Sequence, residues 1–78
     1  MTHFSFTLEV SGIDVSGDRY EDALFRAGCD DALVAVVNGK LFLDFDREAV
    51  SYERAVTSAK HDVQAAGGSV VSVERIRD

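Results

Sequence analysis

The sequence predicts an α+β domain with elements in the order β-α-β-β-α-β, and three features carry that expectation. Phe4, Phe6, Leu8 and Val10 alternate with polar residues near the N-terminus. The pair Asn38-Gly39 sits between two apolar runs. A long helical stripe follows Ser51.

The first alternation has the two-residue period of a strand, with Ser5, Thr7 and Glu9 on its polar face. The run SGIDVSGD then supplies glycines and short polar side chains for a loop. Asp18, followed by Glu21 three positions on, has the spacing of a helix capping box. Tyr20, Ala23, Leu24 and Ala27 fall on one stripe of a 3.6-residue period, and Gly28 closes a helix of roughly two and a half turns.

In ALVAVVNGKLFLDF, Asn38-Gly39 is the preferred central pair of a two-residue type I′ turn. Counting back from Val37 opposite Lys40 sets Val36 by Leu41, Val34 by Leu43 and Ala32 by Phe45 on one apolar face, the core side. The other face carries Ala35 by Phe42, Leu33 by Asp44 and Asp31 by Asp46. A slip of one residue would exchange the two faces, so the register is strongly specified.

Ser51 is a good N-cap for a second helix with Tyr52, Ala55, Val56, Ala59, Val63 and Ala66 on its inner stripe. Glu53, Thr57, Lys60, His61 and Gln64 face solvent, and Gly67-Gly68 ends the helix. The closing SVVSVERI is β-branched, with Val71 and Val73 expected on one face and Ser72 and Glu74 on the other. This order is that of a ferredoxin-like fold: residues 1–78 form one domain with an antiparallel sheet and both helices on one face. Across the sheet the strands should run fourth, first, third, second. The opposite face is left bare.

Composition narrows the function. A chain of 78 residues buries only about 60% of the surface its unfolded form exposes, enough for one core. The formal charge of −6, from 14 acidic and 8 basic residues, repels phosphate backbones and attracts basic surfaces. Direct nucleic-acid binding is not expected of such a segment. Cys29 is the single cysteine, which fits a reducing cytoplasm and excludes an internal disulfide. The stretch MTHFSFTLEV has the marks of neither a signal peptide nor a membrane span.

The sharpest polar constellation is acidic. Asp30 and Asp31 enter one hairpin strand while Asp44 and Asp46 leave the other, and the register expects Asp31 and Asp46 to oppose each other. Such a pair needs a positive group: a hard cation, or more simply Arg47, in a network with Asp30 and Asp46 at the hairpin's open end. Cys29 would need a base to act as a nucleophile, and His3 and His61 are poorly placed to serve. No active site, cofactor or zinc spacing is expected. The bare sheet face, with Leu33, Phe42 and Ile76 among Glu9, Asp44 and Glu74, has the apolar-within-charge character of a contact patch.

The pieces ALF and AGCDD within 23–31, FDREA at 45–49, the SA and DV of SAKHDV at 58–63 and the closing V-x-V-E at 71–74 resemble the N-terminal module of small bacterial helix-turn-helix DNA-binding or transcriptional regulator proteins. In that family the helix-turn-helix follows the last strand; this sequence ends at Asp78 without it, as a fragment or a stand-alone module would. The resemblance implies a non-enzymatic regulatory or dimerising domain with a protein partner or a second copy of itself. Asp30, Asp31, Asp46 and Arg47 are then the best candidates for a contact or a clasp. Two alternatives remain: an acidic nucleic-acid mimic, as an inhibitor or antitoxin-like protein, and a small metal-binding protein.

Overall fold

A computed structural model of the chain describes residues 2–17 and 19–75. The elements appear in the expected order: β1 (Thr2–Ser11), α1 (Arg19–Ala27), β2 (Ala32–Val37), β3 (Lys40–Ala49), α2 (Tyr52–Ala65) and β4 (Ser69–Arg75). The strands make one antiparallel sheet in the order β2-β3-β1-β4, the ferredoxin-like arrangement. Asp18, expected to cap α1, and Ile76 lie outside the described residues.

The hairpin turn sets the sheet. Asn38 and Gly39 both adopt positive φ, 53° and 77°, as a type I′ turn demands. The register that follows is the one the sequence predicts, with Ala32 opposite Phe45, Val34 opposite Leu43 and Val36 opposite Leu41. β1 then adds to the far side of β3, placing Phe6 beside Phe45, Leu8 beside Leu43 and Val10 beside Leu41. The rings of Phe6 and Phe45 stack with centroids 5.3 Å apart.

Above this apolar face lie the helices. Leu24 of α1 and Ala55, Ala59 and Val63 of α2 join the inward side chains of the sheet in one core, which puts both helices on the same side. The Ser51 side chain accepts a hydrogen bond from the Arg54 amide at 3.2 Å and so caps α2. Alanines along the inner stripe bring the α2 backbone close to the sheet. No helix among the described residues is long and apolar enough to cross a membrane.

Two local expectations are corrected. In β4 it is Val70 and Val73 that pack against the core, while Val71 is 56% exposed. A register shift opposite Glu9 and Val10 is the cause: Ser72 pairs with Glu9 but Val70 pairs with Val10, so Val71 is an extra residue in a β-bulge. Strict alternation cannot anticipate that insertion. In α1, Ala23 is exposed and Leu24 is the buried residue, since the short helix meets the core over little more than one turn.

Gly68, where α2 hands over to β4, is buried among side chains. A Cβ there would lie 2.8 Å from both Val10 Cγ1 and Ile13 Cδ1 and 3.0 Å from Val63 Cγ1. Gly68→Ala should therefore destabilise the fold by about 1–3 kcal/mol through overpacking, measured by urea unfolding.

Candidate functional site

Strand alternation sends Phe45 and Arg47 inward on β3 and Asp44, Asp46 and Glu48 outward. Arg47 is consequently placed under the helices, 9% exposed, as the buried charged residue among those described. Burying a guanidinium without partners is very costly. Here every N–H has one.

Arg47 Nε donates to Asp31 Oδ2 at 2.7 Å and Nη2 to Asp31 Oδ1 at 2.8 Å, a bidentate pair. The second Nη2 proton goes to the Gly28 carbonyl at 2.8 Å. Nη1 donates to Asp62 Oδ2 at 2.9 Å and to Ser58 Oγ at 3.1 Å. The Ser58 hydroxyl in turn donates to the Ala55 carbonyl. The cation also lies 4.9 Å over the Phe45 ring. Hydrogen bonds and charge from Asp31, then Asp62, raise the arginine's pKa further above its ordinary value, against the opposing effect of burial.

The backbone is shaped to admit this cluster. Gly28 ends α1 with φ 112°, its amide bonded to the Phe25 carbonyl and the next amide, Cys29, bonded to the Leu24 carbonyl. That turn frees the Gly28 carbonyl for Arg47. A Cβ at this position would come within 2.8 Å of Asp62 Oδ2, so glycine is needed for space as well as for conformation.

The clasp differs from the expected one. Asp31 and Asp46 do meet through their backbones, the Asp46 amide donating to the Asp31 carbonyl at 3.1 Å, but their side chains part. Asp31 lies in the turn before β2, outside strict alternation, and its carboxylate swings inward to Arg47. Asp46 stays outward, 3.4 Å from His3 Nδ1. Asp30 is exposed and is not among the groups bonded to Arg47. Asp62, Ser58 and Gly28 complete the clasp instead. One available signal was the i, i+4 spacing of Ser58 and Asp62 beside the alanine stripe.

Chemically the clasp is closed, because its cation has no donor left for a ligand. Cys29 beside it is also shielded: burial first, then the Asp62 charge, pushes its thiol from the ordinary 9.0 up to about 11. A thiol held protonated at neutral pH is a poor nucleophile.

The open sheet face is different. Leu33 is 76% exposed and Val37 52% exposed on β2, with Phe42 half-buried beside them. Toward β1 and β4 the face turns acidic, since Glu9 lies between Phe42 and Ser72, and Thr7 between Asp44 and Glu74. The Thr7 hydroxyl donates to Asp44 Oδ1 at 2.5 Å. His3 reaches Asp46 through Nδ1 and Glu48 through Nε2, from opposite sides of its ring, so these groups do not converge on one point. No group of three His, Cys, Asp or Glu side chains among the described residues is arranged to hold a metal ion.

Arg47→Met should cost about 3–5 kcal/mol in urea unfolding, because it leaves Asp31 and Asp62 uncompensated. Asp30→Asn and Asp46→Asn should leave the unfolding midpoint nearly unchanged. The Cys29 shift sets a further expectation. Between pH 9.0 and about 11 the unfolded chain releases a thiol proton that the folded chain keeps, so stability falls as pH rises through that window. Cys29→Ala should flatten that part of the pH–stability curve. No family model, curated protein or solved structure matches this chain.

Proposed function

We propose that this domain is a non-enzymatic regulatory interaction module whose open sheet face docks a basic polypeptide segment. The observation that carries the proposal is the composition of that face: exposed Leu33 and Val37 beside Phe42, continuous with Glu9, Asp44, Asp46, Glu48 and Glu74. Apolar side chains grouped on one face and rimmed by charge have the character of a contact patch. Its carboxylates select a cationic occupant by charge complementarity. The resemblance to modules that precede a helix-turn-helix agrees with such a role, as a regulatory domain attached to or serving a DNA-binding protein.

A nucleic-acid mimic is the second reading. It is favoured by the row Asp44, Asp46 and Glu48 on alternate positions of β3, about 7 Å apart in a strand. Salt separates the two readings, because a purely electrostatic track loses its affinity as ionic strength rises while an apolar contact does not.

Fluorescence anisotropy with a labelled peptide alternating lysine and leucine tests the proposal. Saturable binding is expected, weakened but retained at high salt, and reduced at least tenfold by Phe42→Asp or Asp44→Lys. Glu53→Lys, on the solvent side of α2, should matter little. Absence of saturable binding, or equal losses from all three substitutions, would refute the face as the site; complete loss at high salt would move the assignment to the mimic.

A further inference from the structure

The two edges of the sheet are built differently. At one edge β4 carries a bulge at Val71 together with Glu74 and Arg75, features that discourage another strand from pairing there. At the other edge β2 reads Ala32-Leu33-Val34-Ala35-Val36-Val37, without a charge, a proline or a bulge. Its side chains are exposed on both faces of the sheet: Leu33 and Val37 on the open face, Val36 at 42% on the side of the helices. The helical layer stops short of this edge.

The backbone of β2 has the same asymmetry. In an antiparallel ladder alternate residues bond to the neighbouring strand, and the two-residue turn makes Val37 and Lys40 such a pair. The Asp46 amide bonded to the Asp31 carbonyl shows the same phase at the other end of the hairpin. Leu33, Ala35 and Val37 therefore point their amide and carbonyl groups into β3. Those of Ala32, Val34 and Val36 point out along the free edge.

We propose that β2 pairs with β2 of a second copy of this chain, antiparallel and about a two-fold axis at Val34, joining two sheets into one of eight strands. This deepens the interaction reading by naming one partner, and it uses a different surface from the open face. Centred at Val34, the pairing sets Val34 opposite its counterpart, Ala32 opposite Val36 and Leu33 opposite Ala35. Each outward amide and carbonyl of Ala32, Val34 and Val36 in both copies then has a bonding partner. Every opposed side chain is apolar. Charge also favours a second copy at this edge: the acidic residues of the open face, Glu9, Asp44, Asp46, Glu48 and Glu74, lie on β1, β3 and β4, so edge pairing holds these bands of the two −6 chains apart, whereas packing open face to open face would oppose them. A basic segment would find no carboxylate on β2 to attract it.

Analytical ultracentrifugation of the full chain, with amide hydrogen exchange read residue by residue, tests this. The expected mass is twice 8.5 kDa, falling toward the monomer on dilution. The amides of Ala32, Val34 and Val36 should gain protection as concentration rises, while those of Leu33, Ala35 and Val37 stay protected throughout. Val36→Lys should give a folded monomer, and so should Val34→Pro, since a proline there removes a donor from the free edge and none from the hairpin. Phe42→Asp should remain dimeric even as it loses the basic peptide, so the edge and the open face fail separately. A chain that stays monomeric at millimolar concentration overturns the inference. So does a dimer that survives Val36→Lys, or one in which the alternate amides stay unprotected.

Discussion

The position of Arg47 governs how the layers of this domain meet. Its guanidinium reaches from β3 to the link between α1 and β2, at Gly28 and Asp31, and to Ser58 and Asp62 in the middle of α2, so three stretches distant in sequence meet at one cation. A planar fork with five donors suits such a junction, since a lysine ammonium offers only three. The junction is also specific. Exchanging the partners would leave a carboxylate or a carbonyl without its donor in a site largely closed to water, where such a loss is severe.

Much of the remaining architecture follows from the turn at Asn38 and Gly39. By fixing the pairing of β2 with β3 it decides that Leu41, Leu43 and Phe45 go beneath the helices, and that Phe42, Asp44 and Asp46 go to the open side. The Arg47 clasp depends on the same parity, since a slip by one residue would put the arginine in water and Asp46 in the core. The turn and the clasp are thus mutually supporting: one sets the faces of the hairpin, and the other holds the helices over the inward face.

The molecule has two kinds of surface as a result. Close to Arg47 and Cys29 its polar groups are bonded to one another and its thiol is held protonated, which suits a stable frame and leaves little for chemistry. The open face and the β2 edge differ from that region in having exposed apolar side chains, a row of outward carboxylates and, on β2, backbone groups directed outward.

Local chemistry in the sequence determined the element order, the hairpin register, the cap at Ser51 and the inward set of β1 and α2, because each rests on spacing within a few residues. FDREA and AGCDD were correctly expected at one end of the hairpin. Only the tertiary structure decided which acid holds Arg47, because Asp31 leaves the strand pattern and Asp62 arrives from a helix remote in sequence. It also decided the inward face of β4, where the bulge opposite β1 inserts Val71 and breaks the alternation. Side chains that repeat with a regular strand or helix can be read from their spacing alone, whereas bulges, turn residues and charges paired across long distances depend on how separate segments come to rest against one another.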